Sequence, residues 1–164
     1  MISLERNFAL SVPDPALTTL WKLQIPFGDS VNFLAAESLT ATFLKIPPEA
    51  RFSQGSNLYY PGVADVDGIS ITFYETHDHL VGSWLVEWQK LIYNYESGVY
   101  GAPINYKKPI IANLYSKYSK KPIKVITYHG CWPTDRGPYE LNYEEETGRI
   151  KIQAQFAVDD IKEV

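Results

Sequence analysis

Near the C-terminus, apolar and polar residues alternate. Ile150, Ile152, Ala154, Phe156 and Val158 are interleaved with Lys151, Gln153, Gln155 and Asp159. A period of two is the period of a β-strand, so this stretch presents one greasy face and one wet face. Just upstream, Tyr139, Leu141 and Tyr143 alternate with Glu140, Asn142 and Glu144. Glu145-Glu146-Thr147-Gly148 between the two runs has the length and composition of a hairpin loop. With Glu144 opposite Arg149, Tyr143 meets Ile150, Leu141 meets Ile152, Asn142 meets Lys151 and Glu140 meets Gln153. A slip of one residue would mix the faces, so the pattern fixes the register. The expectation is a hairpin whose wet face carries Glu140, Asn142, Glu144, Lys151, Gln153 and Gln155.

The rest of the chain points to a mainly β (α+β) domain. Ile69, Ile71 and Phe73 alternate with Ser70, Thr72 and Tyr74, a strand. Shorter strands are expected at 21–26, 31–36 around a Phe27–Ser30 turn, and 38–46, which ends at Pro47-Pro48. Pro109 with the alternation of Ile111, Asn113 and Tyr115 suggests an edge strand within 106–118, and 123–129 gives another strand. One helix is expected over 76–96. Thr76 and Asp78 suit its N-cap, and Leu80, Trp84, Trp88, Leu91 and Tyr95 fall at helical spacing. Val81, Leu85 and Ile92 widen that stripe, and Gly98 is placed to end the helix. Gly82 weakens a helix by about 1 kcal/mol relative to Ala, yet permits close approach. Residues 1–20 read as an irregular arm interrupted by Pro13 and Pro15. Residues 49–68, rich in Gly, Pro, Ser and Asn, read as a long loop around a short strand, which suits partner binding. His129 to Tyr143, HGCWPTDRGPYELNY, reads as a stiff corner. Trp132 and Gly137 are held extended by the prolines that follow, and the corner aims two strands.

Composition narrows the function. The net charge of −4 argues against general attraction to nucleic acid. A single cysteine forms no internal disulfide and fits a reducing compartment. The N-terminus has no secretory pattern, and no run approaches the ~18 apolar residues of a membrane span, so no membrane partner is expected. The charge is uneven: six lysines and no acid from Lys107 to Lys124, against seven acids and three bases from Tyr139 to Val164. Such faces are either solvated or meet between copies of the chain.

Motifs for chemistry are weak. His77 and His79 lie two apart at a helix start and do not share a face, so no metal site is expected. His129 and Cys131 share a strand face, but nothing else marks a nucleophile, and Cys131 reads as a small buried thiol. There is no phosphate-binding or dinucleotide glycine pattern. Lysines interleaved with Tyr106, Tyr115 and Tyr118 would suit single-stranded nucleic acid, but the overall acidity opposes it. No enzyme and no cofactor is expected.

The segments WLVEWQ (84–89), YKKPIIANLYSK (106–117), GCWPTDRGPYELNY (130–143) and FAVDD (156–160) resemble the tail tube protein family of contractile-tailed bacteriophages in order and spacing across residues 69–160. The first third matches in its strand-turn-strand start and in KIPP (45–48), while 49–68 departs from the family pattern. The resemblance implies two packed antiparallel sheets, a β-sandwich or barrel, with one flanking helix. It implies a structural virion protein of the tail, made in the host cytoplasm. Six copies would close into a ring with a continuous inner barrel, and rings would stack head to tail into a tube through which DNA passes. The implied partners are the tail sheath protein, a baseplate tube initiator, the tape measure protein and viral DNA. A baseplate initiator or a tube protein of a contractile injection system is the alternative, and a β-sandwich binding module a further one. On this reading 1–164 is a single domain, 49–68 is an inter-subunit loop, and the wet face from Glu140 to Gln155 lines the lumen.

Overall fold

A computed structural model describes residues 19–27, 36–144 and 148–164. The arm up to residue 18, the 31–35 part of the second short strand, most of the Phe27–Ser30 turn and three of the four hairpin-loop residues lie outside these. In chain order the described elements begin with β1 (Trp21–Gln24), β2 (Ala36–Thr40), β3 (Leu44–Lys45), β4 (Pro48–Ser53), β5 (Ser56–Pro61), β6 (Asp65–Val66) and β7 (Ile69–Tyr74). They continue with α1 (Leu80–Ile92), β8 (Tyr93–Asn94), β9 (Val99–Tyr100), α2 (Pro103–Tyr106), β10 (Lys108–Tyr115), β11 (Pro122–Asp135), β12 (Lys151–Ala157) and β13 (Asp160–Glu163). No helix among the described residues is long and apolar enough to cross a membrane.

The organising element is β11. Its first part pairs antiparallel with β10 on one side and β13 on the other, while Trp132–Asp135 pair with β12. The bend lies at Gly130, where φ is +67° and an added Cβ would run into the Asp159 side chain. Glycine is required there on both counts. The stiff corner is therefore internal to one long strand and passes it between two sheets, β1-β10-β11-β13 and β11-β12-β7-β2. Asp159 sits over the corner, its carboxylate 2.6 Å from Lys107 Nζ. One hydrophobic core joins Leu23, Ile110, Ala112, Ile126 and Tyr128 of the first sheet to Ile69, Ile71, Phe73, Ile152, Ala154 and Phe156 of the second.

Helix α1 closes this core with Val81, Trp84, Leu85 and Trp88. Trp88 lies against Phe156, Trp84 against Phe73, and their indole N–H groups donate to the carbonyls of Tyr106 and Pro26. Buried indoles need such partners. The helix is shorter than the apolar spacing predicts. Leu91 is exposed, and Tyr95 belongs to the turn of the small β8–β9 ribbon, where Gly98 has φ +69°. Asp78 does not cap. Thr76 Oγ1 accepts from Leu80 N–H, and the Glu75 carboxylate accepts from Thr76, Val81 and Gly82 N–H. A carboxylate at the positive end of the helix is favourable. Tyr139 Oη donates to the same carboxylate directly over Gly82, and a methyl at 82 would collide with both.

Two further expectations are corrected. Strand β10 is interior, flanked by β1 and β11, and Pro109 is accommodated at a register shift between Lys108 and Ile110. The missing proline N–H is tolerated at such an irregularity. The 49–68 segment is mostly an ordered hairpin, β4–β5, with Gln54 and Gly55 both at positive φ in its turn. That backbone matches the twist of paired strands.

Candidate functional site

The local C-terminal hairpin does not form. Residues 136–142 carry no regular structure, and β12 pairs instead with β7: Lys151↔Tyr74, Ile152↔Phe73, Gln153↔Thr72, Ala154↔Ile71, Gln155↔Ser70, Phe156↔Ile69. Ile152, Ala154 and Phe156 all meet apolar partners on this distant strand, while Ile150 lies beyond the ladder, its carbonyl accepting from Glu75 N–H. The wet and dry faces of β12 stand as expected: Lys151, Gln153 and Gln155 are exposed, and Ile152, Ala154 and Phe156 are buried.

The wet face extends across three strands. Antiparallel register places Ser38 opposite Thr72 and Thr40 opposite Ser70 on β2. The outward rows are therefore Gln153-Thr72-Ser38 and Gln155-Ser70-Thr40, all uncharged hydroxyls and amides. Gln153 Nε2 donates to Ser70 Oγ at 3.3 Å across the rows. The charge gathers at one end. Glu37, the extra residue at a register irregularity in β2, accepts from Tyr74 Oη at 2.7 Å and from Lys151 Nζ at 3.0 Å. The Tyr74 hydroxyl, and after it the Lys151 ammonium, hold the Glu37 carboxyl below the ordinary carboxylate range. The Glu37 carboxylate in turn holds Lys151 and the Tyr74 hydroxyl above their ordinary values. Arg149 and Lys151 both stand over the Tyr74 ring.

Of the six residues expected on this face, Lys151, Gln153 and Gln155 lie on it. Glu140, Asn142 and Glu144 are exposed on a segment that has left the sheet. A cleft of about 900 Å³ opens beside them, lined by Pro138, Leu141, Tyr143, Ile150, Lys151 and Thr72 among others. Sequence reasoning missed Ser38, Thr40 and Glu37. The signal available was the polar alternation of Ser38 and Thr40 around Leu39, which packs on the core.

The remaining candidates are not gathered into a reactive site. The Gly130 bend separates His129, which is exposed, from Cys131, which is buried. Burial pushes the thiol up to about 12, far from a nucleophile at neutral pH. Among the described residues no group of three or more His, Cys, Asp or Glu side chains is brought together. The two charge runs partly neutralise each other within the chain, through Lys107–Asp159 and Lys124–Glu163.

Two sheets sharing a bent strand, with α1 across the core, give a fold of the tail tube kind, shared with chains from solved contractile injection machines. No family model matches the chain. The resemblance read in the sequence holds: the chain is 24% identical to tail tube protein gp19 of Enterobacteria phage T4 over 149 residues, covering 89% of this chain and 90% of that one. Among solved structures, the tube-terminating cap of the anti-feeding prophage superposes with a TM-score of 0.71 at 14% identity, covering 94% and 93% of the two chains. A chain from the sheath–tube complex of the extracellular contractile injection system PVC gives a TM-score of 0.63 at 14% identity, covering 97% and 96%.

Proposed function

We propose that this chain is the main subunit of a phage tail tube, closing as hexameric rings that stack head to tail around a bore through which DNA passes. The observation that carries the reading is the uncharged wall of Gln153, Gln155, Ser70, Thr72, Ser38 and Thr40, opposite a continuous core. Phosphate affinity comes from Lys and Arg contacts, so a wall of hydroxyls and amides lets a polyanion slide without sticking. On this reading the wall faces the lumen, with Glu140, Asn142, Glu144 and Lys151 towards one rim. The exposed β4–β5 hairpin, with Phe52 and Tyr59 bare on one side, reaches the next ring as the inter-subunit element, together with the N-terminal arm. The whole of 1–164 acts as one tail-tube domain without catalytic function. The sheath lies outside, the tape measure and then DNA inside, and a baseplate initiator starts the tube. The likeness to tail tube protein gp19 over 89% of the chain supports the tube reading.

Negative-stain electron microscopy of the purified chain tests the proposal. Rings and long tubes are expected. Single rings that never elongate would instead indicate an initiator, and a chain that stays monomeric at high concentration would overturn the reading.

A further inference from the structure

Head-to-tail stacking, the reading above on which this inference rests, presses one end of each chain against the opposite end of a copy in the next ring. Barrel strands run along the bore with a tilt. Strand β7 therefore separates the two ends, its six residues spanning about 20 Å. Beside its start lie β3 and β6, from which the β4–β5 hairpin springs. Beyond its other end, where Tyr74 pairs with Lys151, opens the cleft of about 900 Å³. The hairpin and the cleft thus lie at opposite ends of the sheet that carries the wall.

Both present apolar side chains to solvent. Register places Ala50, Phe52 and Tyr59 on one side of the hairpin, with Phe52 76% and Tyr59 67% exposed. A two-stranded ribbon with a bare apolar side gains from being covered. At the cleft, Leu141 is 75% exposed and Tyr143 fully exposed, with Pro138 and Ile150 as further apolar walls. The segment that carries them has no regular structure and is held by Tyr139 Oη on the Glu75 carboxylate and Gly137 N–H on Asp135 Oδ1. The cleft falls in the range of roughly 300–1,000 Å³ that encloses multi-ring ligands, so it has room for more than one aromatic side chain.

Charge selects the pairing. Residues 50–59 carry one charged side chain, Arg51, and residues 137–144 carry two, Glu140 and Glu144. The cations on the other wall of the cleft are already engaged, Lys151 with Glu37 and both Lys151 and Arg149 over the Tyr74 ring. A hairpin packed on another hairpin would bring Arg51 towards Arg51. A hairpin seated in the cleft brings it to two carboxylates. We infer that the cleft between Pro138–Tyr143 and Gly148–Lys151 is the receptor for the β4–β5 hairpin of a second copy in the adjacent ring, with Phe52 and Tyr59 as anchors and Arg51 facing Glu140 and Glu144.

Crosslinking of assembled tubes tests the contact. Asn57→Cys combined with Asn142→Cys places thiols beside the anchors and in the cleft while sparing the aromatic residues, and the native Cys131 is buried. A short bismaleimide should join chains into a ladder of multimers on a denaturing gel. The pair Asn57→Cys with Tyr100→Cys, on the β8–β9 ribbon, should give none. A charge exchange supplies a second readout that needs no crosslink. Arg51→Glu alone, and Glu140→Arg with Glu144→Arg, should each raise the concentration required for elongation on the order of tenfold, as loss of a central interface contact does, without moving the urea midpoint of the isolated chain. All three substitutions together should restore tubes. Parent tubes combined with a ladder from the Tyr100 pair in place of the Asn142 pair, or charge variants that elongate like the parent, would overturn the inference and leave the tube reading intact. A parent chain that forms neither rings nor tubes would sink both.

Discussion

Gly130 holds the molecule's geometry at a single residue. Its left-handed backbone turns β11 from one sheet into the other, and the Asp159 side chain occupies the space a Cβ would need. Gly130→Ala should destabilise the fold by at least about 1–2 kcal/mol from the backbone alone, and by more from the overlap. A lowered midpoint in urea unfolding checks this; an unchanged midpoint would show that the bend is set elsewhere. Glu37 is a second informative residue. Its carboxyl is held low in the folded chain, first by the Tyr74 hydroxyl and then by Lys151. A group with a lowered folded value contributes stability above its unfolded value and loses it as pH falls through the folded one. An NMR titration should place the Glu37 midpoint below the ordinary carboxylate range, and Tyr74→Phe should raise it. A midpoint indifferent to Tyr74→Phe would remove the hydroxyl as the main cause.

At the scale of elements, the β4–β5 hairpin and β12 show what the sequence can and cannot say. The two-residue turn at Gln54-Gly55 is compact, but the flanking strands bury nothing, so no apolar alternation betrayed them and the composition suggested a loop. A two-stranded ribbon is marginal alone, and this one leaves Phe52 76% exposed. Excising residues 50–59 should therefore leave the unfolding midpoint of the remaining domain within about 0.5 kcal/mol of the parent while abolishing elongation beyond single rings. Long tubes in electron micrographs of the shortened chain would dismiss the hairpin's role. In β12 the alternation told correctly which side chains are wet, because a period of two is local. It did not tell which strand is the partner. Ile152 matches Phe73 as well as it matches Leu141, and a strand has two edges, so the alternation alone names no partner. The helix was legible from Trp84 and Trp88 and the Thr76 part of its cap from the sequence, but the Glu75 part was not, since Glu75 lies before the apparent start and acts through its side chain. Trp88→Ala should cost about 3–5 kcal/mol, read as a loss in denaturant midpoint, because the indole is buried against Phe156 and bonded to Tyr106.

At the scale of the whole molecule, the wall and the core are two sides of the same strands. Any charge added to the wall leaves Ile71, Phe73, Ile152 and Ala154 untouched behind it. That separation allows transport to be tested without disturbing assembly. Gln153→Lys combined with Gln155→Lys places two cations per subunit on an exposed face that otherwise carries hydroxyls and amides at those rows. Surface substitutions of this kind typically change folding stability by less than about 0.5 kcal/mol, so tubes of normal length are expected. Passage of DNA is a different matter. Each phosphate neutralised by a lysine releases counterions, and the attraction weakens steeply with salt. Virions carrying the double substitution should eject DNA more slowly than the parent at low ionic strength, and the difference should shrink as salt rises. Glutamate at the same two positions supplies the control of opposite sign, with no slowing at any salt concentration. Ejection kinetics identical for lysine and glutamate variants would mean that this face does not line the path of the DNA.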